Sequence, residues 1–226
     1  MPGRLIMKRA FTVTELFIVV ACVMLLAGIL LPHFMKGRSC TGTANCLNNL
    51  KQIGLSFRTW ALDNSDNFPM RVSEVNGGTM ELVNGGAAFI HFLVMSNELS
   101  TPQILICPQE VDPNRTYATT FATHANANQI PFNSDRYVSY FVGVDANENE
   151  PSRWLCGDRN LAFDGVPATH GLHSIWSNSL PSWVKPRHAN FGNIGFADGS
   201  VQQLGDSGLR SSLGATGMAT NRLAVP

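Results

Sequence analysis

The apolar positions fall into three regimes along the chain. From Phe11 to Leu31 they are nearly continuous, with Glu15 as the one charged residue and no polar face recurring at helical spacing. At ~1.5 Å per helical residue such a run is about 32 Å long, enough to cross a hydrocarbon core of roughly 30 Å. The pattern therefore predicts a membrane helix over residues 11–31. Lys36 to Thr43 contains Gly37 and Gly42 among poor helix formers, which predicts a bent or loosened turn. Beyond it, Leu47, Leu50, Gly54, Phe57 and Ala61 alternate spacings of three and four. Ile53 and Trp60 widen that stripe, and Lys51 and Arg58 lie off it. Residues 32–62 thus read as an amphipathic continuation of one long helix, about 78 Å if straight. Asp63 to Pro69, rich in Asp and Asn and closed by proline, ends it.

The third regime, residues 63–226, has short apolar runs broken by glycine, proline and asparagine. Ala87 to Met95 suits a helix or a strand, and Ile104 to Cys107 before Pro108 reads as a buried strand. Gln109 to Gln129 is polar and reads as a surface excursion. Tyr137 to Val144 has the composition of a strand. An acidic turn, Asp145 to Pro151, leads to Trp154–Asn160, the predicted hairpin partner of that strand. Ile194–Ala197 and Val201–Leu204 flank Asp198-Gly199, a two-residue hairpin signal because glycine adopts positive φ at little cost. The expectation is an α+β fold, with a long N-terminal helix packed on a small antiparallel sheet.

Charge orients this arrangement. Arg4, Lys8 and Arg9 precede the apolar run and no charge other than Glu15 follows until Lys36, so the N-terminus is expected on the cytoplasmic side and the remainder exported. Loss of residues 1–10 would leave 13 basic against 16 acidic side chains. That balance argues against a nucleic-acid partner, which calls for a basic face. Of the five cysteines, Cys22 lies in the apolar run, and Cys40, Cys46, Cys107 and Cys156 fall on the exported side. An oxidising compartment favours disulfides. On one helix Cys40 and Cys46 are about 9 Å apart along the axis and cannot join each other. Three arrangements stay open: 40–107 with 46–156, 40–156 with 46–107, or free thiols.

A carboxylate inside an apolar helix is costly, about 2.5–3.5 kcal/mol at the bilayer centre and less near a helix start. Glu15 could cap the helix N-terminus, where a negative charge is favoured. The string Lys8-Arg9-Ala10-Phe11-Thr12-Val13-Thr14-Glu15-Leu16 also resembles the type IV prepilin signature, with Ala10 where that family carries glycine. The resemblance implies that prepilin peptidase cuts between Ala10 and Phe11 and methylates the new amine of Phe11. It further implies that Glu15 serves assembly and that Pro32 is the family's helix proline. Asn45 to Gly54, with Asp63-Asn64 and Phe68-Pro69, is similar to the helix and following loop of G-type pseudopilins of type II secretion. His188 and Asp198-Gly199, with nine residues between them, resemble the processing-associated motif of prepilin-like proteins of planctomycetes and verrucomicrobia. A His188–Asp198 contact pinning the hairpin is the role expected for it. The implied localisation is the inner membrane, in a single pass with a periplasmic C-terminal domain, or an extracellular filament. The implied partners are the peptidase and other pilin or pseudopilin subunits.

Other chemistry finds less support. No nucleophile, base and orienting group stand at telling positions, and no phosphate-binding loop is present, so no enzyme is expected. No cofactor is expected either. A calcium reading of Asp63, Ser65, Asn67 and Glu74 lacks the glycine of an EF-hand loop, as does Asp145 to Glu150. His170 and His173 could join His188 and Asp198 around a metal, although two histidines three apart in a loop are usually unremarkable, and no metal is expected. Val19-Val20-Ala21-Cys22 is similar to a lipoprotein cleavage site, but the apolar run continues past Cys22. An alternative to a filament subunit is a membrane-anchored exported binding module that does not polymerise. In that reading Trp154, Trp176 and Trp183 would supply stacking faces for carbohydrate.

Overall fold

The computed structural model describes residues 12–124, 126–184 and 191–226, leaving aside the side chains of residues 29–41 and 43. Two compact units are present, residues 1–41 and 42–226. The first helix, α1, spans Val13–Leu62, and the helix assignment continues through Gly37 and Gly42, where composition predicts a loosened turn.

In the first unit every described side chain from Thr12 to Gly28 is exposed. The helical residues among them, 13–28, cover about 24 Å. Among the described residues no helix is long and apolar enough to cross a membrane.

In the second unit the same helix behaves differently. Cys46, Leu50, Ile53, Phe57, Trp60 and Ala61 are buried along one stripe, while Lys51 and Arg58 are exposed as the periodicity predicts. Phe57 sits edge-on to Phe68 at 5.7 Å and to Phe92 at 6.0 Å, a favourable geometry for aromatic quadrupoles. The helix stops where expected. Asn64 donates its side-chain amide to the Trp60 carbonyl at 2.9 Å, and Ser65 and Asp66 turn left-handed at φ 56° and 58°. The Asp63–Asn67 segment is thus a helix terminus whose amides satisfy their own turn.

A chain of short elements follows: 3₁₀ turns between Pro69 and Gly85, then α2 (Ala88–Leu93) and α3 (Ser96–Leu99). The buried strand expected at Ile104–Cys107 is instead a 3₁₀ turn, Pro102–Leu105, capped by the Thr101 hydroxyl, leading into a buried Ile106 and Cys107. Pro102 and Pro108 remove ladder donors at both ends. One long-range backbone bond, from Ser139 N to the Leu105 carbonyl at 2.8 Å, holds the segment.

The expected hairpin is present: β1 (Tyr140–Gly143) pairs antiparallel with β2 (Trp154–Asp158), Tyr140 opposite Asp158. Further strands are β3 (Leu161–Phe163), β4 (Val166–Pro167), β5 (Gly171–Trp176), β6 (Pro181–Trp183), β7 (Phe191–Phe196) and β8 (Val201–Gly205). Then come α4 (Asp206–Ala215) and β9 (Thr220–Val225). They build a six-stranded antiparallel sheet in the order β5-β9-β1-β2-β7-β8 and a three-stranded one, β4-β3-β6. The fold is therefore α+β.

Alternation along the central strands assigns each face of the large sheet its own core. Tyr140, Val142 and Ala224 join α1, α2 and the 3₁₀ turns. Phe141, Leu223 and Val225 join α4 and the small sheet through Leu209, Leu213 and Trp183. A register shift between Trp154 and Cys156 lets Leu155 and Cys156, adjacent in sequence, both enter the α1 core. Such a bulge is the usual way an extra residue is absorbed.

Candidate functional site

Glu15 is positioned by the start of α1. Its Oε2 accepts from the Thr12 backbone N–H and from the Thr12 hydroxyl, each at 2.8 Å. The Thr12 hydroxyl in turn accepts from the Glu15 N–H at 3.3 Å. This is a capping box, in which a hydroxyl and a carboxylate three residues apart satisfy donors that a helix start leaves orphaned. The sequence reading recognised the capping potential of Glu15 and missed its partner, although T-x-x-E at residues 12–15 is the pattern that signals one.

Behind the cap the surface is apolar on all sides, with Phe17 73% and Leu25 68% exposed. Helices hydrophobic all round are ordinarily buried in protein or lipid. Ala10 and Phe11 lie outside the described residues, and Pro32 lies within α1 with its side chain outside them. Cys22 is an exposed free thiol on this helix.

The C-terminal motif lies in the second unit. His188 falls outside the described residues, and with it any contact to Asp198. Asp198 and Gly199 form the tip of the β7–β8 hairpin. Phe196 N donates to the Ser200 carbonyl and Gly199 N to the Phe196 carbonyl, both at 2.9 Å. The loop therefore has three residues, Ala197 to Gly199, instead of the expected two. Gly199 takes the left-handed position at φ 84°, the arrangement of a type I turn followed by a glycine bulge. Asp198 Oδ1 accepts from Ser200 N at 2.8 Å and so braces its own turn. The tip docks on α1: Arg58 Nη1 donates to the Asp198 carbonyl at 3.2 Å, and a Cβ on Gly54 would touch the Gly199 Cα at 3.7 Å. Gly54, read from sequence as part of the buried stripe, is where the helix meets this turn.

Of the four cysteines that follow the apolar run, Cys46 and Cys107 are bonded and tie α1 to the segment before Pro108. Cys156, which both proposed pairings placed in a disulfide, is a free buried thiol. It points across the sheet, where a Cβ on Gly195 would meet its sulfur at 2.9 Å. Burial, then the nearby Asp158 carboxylate, pushes that thiol up out of the reactive range. The Cys40 side chain lies outside the described residues.

The histidines and acids separate in space. His170 Nε2 lies 2.8 Å from Asp135 Oδ2, whereas His173 Nε2 lies 2.7 Å from the Thr169 carbonyl. In the acidic turn Asp145 meets Arg222 at 2.6 Å, Glu150 meets Arg153 at 2.6 Å and Glu148 meets Arg58 at 3.2 Å. Its carboxylates thus face arginines. Among the described residues no group of three or more His, Cys, Asp or Glu could hold a metal ion.

The carbohydrate-stacking expectation needs correction. Trp154 and Trp183 are core residues, and Trp176 alone of the three is exposed, at 61%. Trp183 spends its indole N–H on the Leu204 carbonyl at 2.8 Å. A separate open groove of about 520 Å³ runs between β8 and α4. Gln202 and Leu204 form one side, and the small residues Gly208, Ser211 and Ala215 form the other.

No protein-family model, curated protein or solved structure matches this chain.

Proposed function

We propose that this chain is a structural subunit of a type IV pilus-like filament or a type II secretion pseudopilus. Prepilin peptidase removes residues 1–10, and the amine of Phe11 is methylated. The subunit waits in the inner membrane, N-terminus cytoplasmic and domain periplasmic, with residues 11–31 as its anchor. On assembly the apolar helices pack together, and the Glu15 carboxylate of one subunit neutralises the N-terminal ammonium of another. In low dielectric that pairing offsets two costly charges, so it selects the register of assembly.

One observation carries the reading: a single capped carboxylate heads a helix whose described side chains, through Gly28, are apolar or small and exposed on every side. Surface of that kind calls for lipid or other copies of the chain. The resemblance of residues 8–16 to prepilins supplies the rest. An expected outcome follows for Glu15→Gln, which keeps the shape and removes the charge. The variant is cleaved normally, while its filament yield falls roughly tenfold or more, each ~1.4 kcal/mol lost per contact being a factor of ten. Wild-type filament yield from Glu15→Gln would overturn the assembly role.

A second reading, a membrane-anchored binding module that does not polymerise, draws on the groove between β8 and α4, whose volume falls in the range of small-molecule sites. Crosslinking in membranes separates the two: a ladder of oligomers belongs to the subunit reading, and monomers alone belong to the module.

A further inference from the structure

In the second unit, three buried donors belong to residues that line one small cavity. Arg153 Nε, Trp154 Nε1 and Asn221 Nδ2 are buried and have no hydrogen-bond partner among the described residues, and all three residues line a cavity of about 10 Å³. The sheet brings them together. Trp154 opens β2 with its ring 6.1 Å from Phe141, and on β9 Asn221 shares a sheet face with Leu223, two residues on. Phe141, Trp154 and Leu223 belong to one core. Gly143, opposite Leu223 on the strand between β9 and β2, has no side chain to fill the space. Trp154 is 2% exposed and Asn221 5%, so bulk water does not satisfy them. Arg153 has its other guanidinium nitrogens engaged, Nη1 donating to the Asp145 carbonyl and Nη2 to Glu150, each at 2.6 Å. Buried donors are nearly always met by an acceptor, and leaving one unmet is costly.

We infer that Arg153, Trp154 and Asn221 form a binding site for one halide anion, such as chloride. The volume is about that of one water-sized sphere, which admits a monatomic ligand and excludes phosphate, sulfate and carboxylate groups. Donor count selects an anion over water. The three side chains offer four N–H bonds, two of them from the Asn221 amide, whereas a water accepts two and must place two protons of its own. The Asp145 oxygens beside the cavity are engaged: both carboxylate oxygens accept from Arg222, and the carbonyl accepts from Arg153. The charges there come in pairs, Arg153 with Glu150 and Arg222 with Asp145, so each carboxylate is already neutralised by its own guanidinium. The anion ties the start of β2 to β9 and stiffens the Asp145–Arg153 turn, whose Glu148 accepts from Arg58 on α1. The site does not depend on the subunit reading.

The test uses the purified full-length chain in detergent, with chloride exchanged for gluconate at constant ionic strength. Urea unfolding should respond saturably: the unfolding equilibrium constant falls about elevenfold once chloride stands at roughly ten times its dissociation constant. Bromide should replace chloride, and crystals grown in bromide should give an anomalous peak between Arg153 Nε, Trp154 Nε1 and Asn221 Nδ2. Asn221→Asp, close in shape, supplies a carboxylate in place of the anion, so its stability should lose the chloride response. The wild-type titration and the bromide peak decide the matter even where that variant does not fold. Equal wild-type stability in chloride and gluconate would overturn the inference, as would a chloride response that Asn221→Asp retains in full. Density at the site without anomalous signal in bromide marks a water and would overturn it too. None of these outcomes bears on filament assembly, which is tested through Glu15.

Discussion

The two ends of α1 carry similar apolar side chains to opposite fates. Phe57, in the C-terminal half, is fully buried between Phe68 and Phe92. Phe17, little more than one turn into α1, is 73% exposed. What separates them is pattern rather than hydrophobicity. Around Phe57 the apolar residues form a stripe backed by Lys51 and Arg58, so the helix can bury one face on its own sheet and solvate the other. Around Phe17 there is no polar face to offer water. A helix of that kind cannot be completed by a domain on one side, and its partner has to surround it. One half of α1 therefore serves folding, and on the proposed reading the other serves association.

Substitutions break this comparison in graded ways. The largest effect belongs to Phe57→Ala, expected to cost about 3–5 kcal/mol because it removes a fully buried ring and leaves a cavity. Next is Glu15→Gln, for which the subunit reading predicts a filament loss of roughly tenfold and no effect on the fold. Phe17→Ala should change the unfolding free energy by less than ~0.5 kcal/mol. Urea titration of the full chain in detergent, followed by tryptophan fluorescence, measures both phenylalanine variants. Equal effects from the two phenylalanines would erase the distinction between the halves.

Acid sharpens the comparison from the other side. His91 is buried with its Nδ1 2.7 Å from the Thr79 hydroxyl, and burial pushes its pKa down to about 4 from 6.5. The native state therefore holds His91 neutral, whereas the unfolded chain takes up a proton below ~6.5. Stability from this group is fully present above ~6.5 and is lost as the pH falls toward 4, by about 2–3 kcal/mol. Asp135 runs the opposite way, since burial raises its pKa and favours the protonated native form as the pH falls. His91→Gln should flatten the acid-side slope of the urea midpoint between pH 7 and pH 4.5. An unchanged slope would remove His91 from the account. Residues 11–31 contain no histidine, so the oligomer formation proposed for them should not follow the His91 slope.

Much of the fold was readable before the structure, for identifiable reasons. The buried stripe from Leu50 to Ala61 stands out because spacing of three and four persists over several turns. The β1–β2 and β7–β8 pairs stand out because β-branched and aromatic runs bracket strong turn residues. Other parts were hidden. Residues 104–107 look like a strand by composition, yet prolines on both sides and the Cys46–Cys107 bond hold them in another form. α4 has two apolar anchors, Leu209 and Leu213, among serines and glycines, too few for a periodic signal. β9 lies between β5 and β1, inside the large sheet, although Asn221 and Arg222 interrupt its apolar pattern. Arg222 fits there because its guanidinium meets Asp145, a long-range partner that no local window contains.

At the candidate site the balance was similar. Glu15 was legible as an anomaly, a charge where none belongs, and Thr12 was overlooked because a hydroxyl at a helix start is common. The exposure of Trp176 and the burial of Trp154 and Trp183 depend on which face each strand turns to each core. A strand in isolation does not specify that.

The proposed function makes residues 11–31 the processed anchor and assembly helix of a filament subunit. Intact-mass and N-terminal analysis of the protein taken from membranes tests it most directly. The account predicts a chain beginning at Phe11 and carrying one additional methyl group; a chain beginning at Met1, or one beginning at a lipidated Cys22, would contradict it.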